Sequence, residues 1–315
     1  MKNLNVAIQM DNIENIDLEF DTSFLIGLEA QNRKYKLFYY NPIDLEYLEG
    51  NICANGYFIE LHDNKKDYFR YLSIDKSLQI LNNFDVILIR QDPPFNMNYI
   101  TSTYLLEKLT NSTVVINNPT SVRNFSEKIF PLKFKKFIPP TSITQNISTI
   151  KQFLEKHKDI VTKPLYGNGG EGIFRTKITD KKLQGIREDK LFLEEPIVIQ
   201  KYIPEIINGD RRIILIDGEY YGSVARIPEE NNLKANFHAG GKPQKSDLIY
   251  RDKEICEALK ENLKKYNLFF VGIDTIGNYL TEINVTSPTG FKQINELNNI
   301  KLERIFWDKL VSKYF

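Results

Sequence analysis

The chain's 315 residues leave room for two domains or one large subdivided one, and 42% hydrophobic with 12% aromatic residues supports a sizeable buried core. Lys and Arg number 42 against 41 Asp and Glu, so no net field draws the protein onto nucleic acid or an anionic membrane, and any anionic ligand must be met by local charge. Cys53 and Cys256 fit no CxxC spacing, which suits a reduced cytosol, and His62, His157 and His238 share no close spacing, which argues against a zinc site or a Ser/His triad. "MKNLNVAIQMDN" opens with an apolar stretch too short, and cut by Gln9 and Asp11, for a signal peptide or an anchor; the expectation is a soluble cytoplasmic protein.

In chain order, "NVAIQM" (5–10) reads as a buried parallel strand, and "TSFLIGLEAQNR" (22–33) as a helix behind an Asp-Thr-Ser start that offers capping oxygens. "YKLFYY" (35–40) and "FDVILIR" (84–90) read as further strands. "QDPPFN" stops the latter, because two prolines forbid strand or helix, before a helix at 97–109 and a strand at 113–117. This alternation predicts an α/β fold, an open and mostly parallel sheet with helices on its faces, whose ligands sit beyond the carboxyl ends of strands, where "RQDPPFN" falls. After "NNPTSVRN" the character turns antiparallel, toward α+β. Strands at 160–164 and 172–177 flank a glycine-rich turn, 210–227 holds two strands joined by Asp217-Gly218, 251–267 is an amphipathic helix, and 268–285 reads as a hairpin.

"KPLYGNGGEG" places four glycines in six residues from Gly167 to Gly172, leaving backbone free to approach a ligand and to aim N–H groups at phosphate oxygens. It joins two strands and carries its lysine, Lys163, before the glycines; a Walker loop would open a helix with the lysine after them. On glycine content alone a plain surface hairpin would serve as well. Glu282 and Asn284 lie two apart on a strand and so share a face, about 7 Å apart, offering the oxygen ligands that Mg²⁺ prefers; an exposed edge face would also explain them. A two-residue turn at Gly277-Asn278 would send Asp274 to the opposite face, whereas a three-residue loop centred on Asn278 would set it opposite Glu282, so the metal reading predicts the longer loop. Arg212, Arg226, Lys163 and Lys128 could together supply the fixed positive charge that phosphoryl transfer needs, and "HAGG" (238–241) adds two glycine N–H donors or a plain turn.

The combination resembles the ATP-grasp ligases and, more narrowly, the bacterial glutathione synthetases, from about Val6 to about Ile294. "RQDPPF" resembles the family's R-K-D-P-P-F, "SEK" (126–128) its N-E-K, and "KPLYGNGGEGIFR" its K-P-L-D-G-x-G-G-x-x-I-F-R, while "GIDTIGNYLTEINVTSPTG" is nearly the family signature. The resemblance implies an N-terminal substrate domain (1–122), a lid subdomain of an ATP-grasp fold (123–205) and a catalytic subdomain (206–315). It implies that Lys128 and Lys163 contact ATP phosphates, that Gly167, Gly169 and Gly170 form the closing loop, that Gln200, Lys201, Tyr202 and Ile203 meet adenine, and that Asp210 takes the ribose. Asp274, Glu282 and Asn284 would hold two Mg²⁺ ions, with Mn²⁺ an alternative. Arg212, Arg226, Gly240 and Gly241 would stabilise the transferring phosphoryl group and the tetrahedral intermediate. Asp21, Ser23, Arg90, Asp92, Ser287 and Thr289 would hold substrate.

The implied reaction joins γ-glutamylcysteine to glycine through an acyl phosphate, in a homo-oligomer, a homotetramer by the resemblance, without nucleic acid or membrane. Departures from the family pattern touch specificity more than the nucleotide apparatus. Gln91 replaces a lysine, Tyr166 and Glu171 alter the glycine loop, Lys234-Ala235 and His238 alter the later segment, and Lys292 replaces an arginine, keeping charge and losing the bidentate fork. Another ATP-grasp amino-acid or peptide ligase, and a non-catalytic ATP-binding scaffold, are the alternative readings.

Overall fold

A computed structural model describes residues 3–167, 172–180, 195–229, 236–237 and 240–315. Its first sheet has a parallel core, β1 (Asn5–Gln9), β2 (Lys36–Tyr40), then after the strands named next β7 (Val86–Ile89) and β8 (Val114–Ile116), in the order β2-β1-β7-β8. The apolar runs that form these strands are buried nearly throughout, as strands covered on both faces must be. Beyond β2 the sheet continues antiparallel through β3 (Leu45–Leu48), β4 (Asn51–Leu61), β5 (Phe69–Tyr71) and β6 (Ser77–Ile80), strands that the sequence pattern did not predict. The signal was masked by β4 itself, where Gly56 interrupts the pattern. A Cβ there would lie 2.2 Å from the Tyr39 carbonyl, so glycine serves close strand approach and not a break. Helices α1 (Thr22–Asn32), capped by Asp21 accepting from the Phe24 amide, α2 (Met97–Glu107) and α3 (Pro119–Asn124) belong to this half.

The second sheet is antiparallel, in the order β11-β10-β12-β9, with β9 (Thr141–Thr144), β10 (Asp159–Pro164), β11 (Phe174–Lys177) and β12 (Ile197–Lys201). Helix α4 (Ile147–His157) lays Ile150 and Leu154 on Ile160, Ile197 and Ile199, a small core of its own.

The third sheet runs β15-β14-β13-β16-β17, with β13 (Asp210–Ile216), β14 (Glu219–Ile227), β15 (Lys242–Lys245), β16 (Phe270–Ile276) and β17 (Tyr279–Asn284). Alternation along β13 divides its faces. Ile213 and Leu215 pack under α5 (Tyr250–Lys265), on Ile255, Leu259 and Leu263, together with Phe130, Phe134 and Phe137. Ile214 and Ile216 face α6 (Phe291–Asn298) and α7 (Leu302–Tyr314), whose Phe291, Phe306 and Trp307 join the core of the first sheet. Buried Asn117 ties the two sheets, donating to the Phe270 and Val285 carbonyls (2.7 and 2.8 Å) and accepting from the Phe270 amide. Among the described residues no helix is long and apolar enough to cross a membrane.

Candidate active site

Two hairpins of the third sheet set the site. Asp217 and Gly218 both have positive φ (50° and 75°), the pattern of a type I′ turn, and Gly277 alone does so in the second hairpin (φ 56°), as in a type II′ turn. The second turn is therefore two residues, Gly277 and Asn278, and the predicted three-residue loop is corrected. Asp274 nevertheless stands opposite Glu282, because one extra residue, Thr281, bulges from β17 between the pairs Asp274–Glu282 and Thr275–Leu280. The first hairpin uses the same device. Tyr221 is the extra residue there, and beyond it Asp210 pairs with Arg226. With Arg212 opposite Asp274 across β13 and β16, and Gly272 opposite Asn284, one sheet face carries Arg226, Asp210, Arg212, Asp274, Glu282 and Asn284 side by side. Gly272 leaves the room for this: a Cβ there would come within 3.2 Å of the Arg212 stem.

On that face Arg212 grips Asp274 with two parallel bonds (2.6 and 2.9 Å), and Arg226 reaches the same carboxylate at 3.0 Å while donating to Asp210. Burial pushes the Asp274 carboxyl up, but Arg212 and Arg226 outweigh it and hold the group below the usual carboxylate range. Burial likewise opposes the Arg226 charge, and Asp210 and Asp274 overcome it. Asp210 goes the other way. Burial dominates, repulsion by Asp274 and Glu282 adds to it, and Arg226 with Arg212 compensates only in part, leaving its carboxyl at about 6. Among the described residues, the Asp210 Oδ1 and the Arg226 Nε are buried without a hydrogen-bond partner.

This face is one wall of a cavity. The opposing wall carries Lys128, whose ammonium donates to the Gly167 carbonyl, and Lys163, 3.8 Å from Glu282 at the end of β10. Gln200, Lys201, Tyr202 and Ile203 line it where β12 ends, with Val161, Ile173, Ile206 and Ile276 as an apolar floor. Asp92, Ser287 and Thr289 close the remaining side, Ser287 donating to Asp92 and the Thr289 carbonyl accepting from Arg212 (3.2 Å).

The family model for the prokaryotic glutathione synthetase N-terminal domain matches residues 4–123, and that for its ATP-grasp domain matches residues 127–299. The chain belongs to the prokaryotic glutathione synthetase family. The glutathione synthetase of Agrobacterium fabrum is 44% identical over 98% of this chain and 97% of its own length, and that of Brucella melitensis 43% identical over 98% and 99%. Similar solved structures are a D-cycloserine synthetase (TM-score 0.68, 11% identity, covering 99% of this chain and 100% of that one) and a Chryseobacterium gregarium RiPP-associated ATP-grasp ligase in complex with ADP and a leader and core peptide (TM-score 0.64, 18% identity, 98% and 97%). Their likeness establishes the ATP-grasp fold.

For this glutathione synthetase family member, the other sequence-derived candidates fall in several places. Gly169 and Gly170, like Glu171, Lys234, Ala235 and His238, lie outside the described residues. Gly240 and Gly241 donate their N–H groups to the Phe237 and Asn236 carbonyls (both 3.0 Å), so both amides are engaged within their own turn. Asp21, Ser23 and Arg90 are not among the cavity-lining residues. Arg90 is buried, bonded to the Ser23 hydroxyl (2.9 Å) and the Pro288 carbonyl (3.0 Å), and so braces the first sheet against the loop that carries Ser287 and Thr289. Lys292 pairs with Glu19 (2.7 Å), and Gln91 accepts from Gln9 (3.1 Å).

Among the described residues no group of three or more His, Cys, Asp or Glu is arranged to hold a metal ion. Glu282 and Asn284 nevertheless fit a hard cation. The Asn284 nitrogen is engaged with the Gly272 carbonyl and Asp274, which leaves its oxygen as the ligand atom beside the Glu282 carboxylate. Asp274 fits only by yielding oxygen now held by guanidinium groups.

Of the cavity residues to which the sequence assigned no role, Glu127 and Phe237 matter most for the chemistry. Glu127 sits inside "SEK", where only the lysine drew a role; it accepts from the Thr286 hydroxyl (2.7 Å), and burial pushes its carboxyl up. Phe237 gave no chemical signal, because an aromatic residue in a polar segment reads as incidental.

Proposed function

We propose that the cavity holds ATP between the lysine wall and the charged sheet face while a substrate carboxylate is activated beside Asp92 and Ser287. The enzyme is an ATP-dependent ligase that forms glutathione. Its cysteinyl carboxylate substrate, γ-glutamylcysteine, takes the γ-phosphoryl group of ATP, giving an acyl phosphate and ADP; the glycine amine then attacks the acyl carbon, the peptide bond forms and phosphate leaves. Lys128 and Lys163 hold phosphate oxygens, Gln200 to Ile203 meet adenine against the apolar floor, and Asp210 takes the ribose. Arg212 and Arg226 meet the charge that develops on the transferring group and on the tetrahedral carbon; fixed by Asp274 and Asp210, they need little reorganisation. Glu282 and Asn284, with Asp274 after exchange, would hold two Mg²⁺ or Mn²⁺ ions, which when bound neutralise β- and γ-phosphate charge. Ser287 and Thr289 position substrate next to Asp92, and Asp21, Ser23 and Arg90 support the γ-glutamyl end from behind.

The observation that carries this reading is the coincidence, on facing walls of one cavity, of two lysines and of an arginine pair interleaved with acidic and amide oxygens. The proposed domain division into 1–122, 123–205 and 206–315 is supported by each span holding one of the three sheets, although Phe130, Phe134 and Phe137 pack with the third. A cytoplasmic location is part of the proposal, supported by two buried cysteines that form no disulfide and by the glutathione synthetase relatives. Self-association is supported by the large apolar side chains left exposed on the antiparallel half of the first sheet, among them Ile43, Tyr47, Ile74 and Leu78; a tetramer is what the resemblance implies, and light scattering of the purified chain tests both. The decisive experiment is phosphate release with ATP and magnesium, omitting γ-glutamylcysteine and glycine in turn. Release only with both supports the reading; release driven instead by glutamate or D-alanine overturns it.

A further inference from the structure

Phe237 is an aromatic ring on the cavity wall whose place is set by the first sheet's side of the molecule. It is 5% exposed and stacks face to face on Phe20, which precedes α1, with ring centroids 5.6 Å apart and planes inclined 16°. Its other neighbour is the Arg226 guanidinium, 5.9 Å from the ring centroid. Phe237 also belongs to the apolar cluster of Phe270, Phe291 and Ile294, and its carbonyl closes the turn at Gly240. Asp210 and Asp274 both hold one nitrogen of Arg226, Nη2, the buried Nε has no hydrogen-bond partner among the described residues, and the aromatic face limits where the planar group can lie.

We propose that Phe237 is a positioning residue for ligation: the Phe20–Phe237 stack fixes the plane of the Arg226 guanidinium toward the transferring phosphoryl group. Carboxylates alone leave the guanidinium free to tilt about its bonds, and a ring face removes that freedom at the cost of no polar group. The Phe20 partner makes the placement depend on the first sheet's half being docked, so that Arg226 is aimed when the substrate-bearing half is in place. The inference rests on the reading of Arg226 as charge-stabilising.

The test compares Phe237→Leu, Phe20→Leu and Phe237→Tyr with the parent, alongside Arg226→Lys, by steady-state turnover, KM for ATP and the ratio of ADP released to glutathione formed. Leucine keeps apolar volume and discards the ring face. Phe237→Leu is expected to lower kcat on the order of tenfold, as for loss of orientation without loss of the charge itself, with KM for ATP within about twofold of the parent. Phe20→Leu is expected to lower kcat in the same direction, and Phe237→Tyr, which keeps the face, to restore most of it. Parental kcat in both leucine variants overturns the proposal. A fall in kcat matched by an equal loss of folded protein, measured by circular dichroism, also overturns it, since that is the mark of a merely structural ring. Parental turnover in Arg226→Lys would instead refute the reading of Arg226 on which the proposal stands.

Discussion

Asp274→Asn tests the centre of the site. In the folded protein this carboxylate, only 4% exposed, meets guanidinium nitrogens of Arg212 at 2.6 and 2.9 Å and of Arg226 at 3.0 Å. At an effective dielectric of about 20, unit charges about 4 Å apart attract by about 4 kcal/mol per pair, before the burial cost that opposes it. The asparagine has nearly the same shape but leaves Arg212 and part of Arg226 uncompensated in a buried place, a loss of about 3–5 kcal/mol out of a total stability of about 5–15. The assay is equilibrium urea unfolding followed by fluorescence of Trp307, the sole tryptophan, whose buried indole donates to the Ile26 carbonyl. A double change, Asp274→Leu with Arg212→Met, removes charge and partner together and is expected to recover most of the loss, because a well-packed apolar pair can replace a buried ion pair at little cost. A midpoint change worth less than about 1 kcal/mol in Asp274→Asn would refute the argument, since an exposed pair contributes no more than that.

The same geometry yields further expectations. Glu282→Gln should lower turnover by about a hundredfold or more while leaving the unfolding midpoint nearly unchanged, because a partly exposed carboxylate at the cavity wall serves a ligand and not the core; parental turnover would contradict its cation role. Lys163→Ala should weaken nucleotide binding in calorimetry by about tenfold, the effect of removing one charge-assisted hydrogen bond to phosphate, and unchanged affinity would count against that role. Burial, with repulsion by Asp274 and Glu282, pushes the Asp210 carboxyl up to about 6, above the ordinary carboxylate value. A raised folded-state value means its contribution is full below about pH 4 and is lost as pH rises through about 6, at most on the order of 2–3 kcal/mol. Asp210→Asn should flatten this part of the stability–pH curve, and a curve unchanged between those pH values would refute the assignment.

Local chemistry carried much of the fold into view. The turn at Asp217-Gly218 was legible because positive φ is a local demand that glycine meets, and the strands of the parallel core because burial on both faces leaves unbroken apolar runs; the length of the loop at Gly277-Asn278 was not, because a bulge at Thr281 gives a two-residue turn the pairing expected of a longer one. The antiparallel strands at 45–80 were not, since each is short or half-exposed and the longest is crossed by a glycine that serves strand contact. Glu282 and Asn284 were placed on one face by period alone. The companionship of Asp274 was not, because it turns on bulges at Thr281 and Tyr221 that no turn residue announces.

The amino-acid order by itself therefore determined which residues could do chemistry and where the strands of the parallel core and of the later hairpins lie, since those follow from side-chain type and short-range spacing. Only the tertiary structure decided that Arg212 and Arg226, 14 positions apart and without an acid beside either in sequence, converge on Asp274, that Gly240 and Gly241 are engaged in their own turn, and that Phe237 lies against Arg226. Such pairings depend on strand register and on sheet-to-sheet docking, where one extra residue changes every partner beyond it.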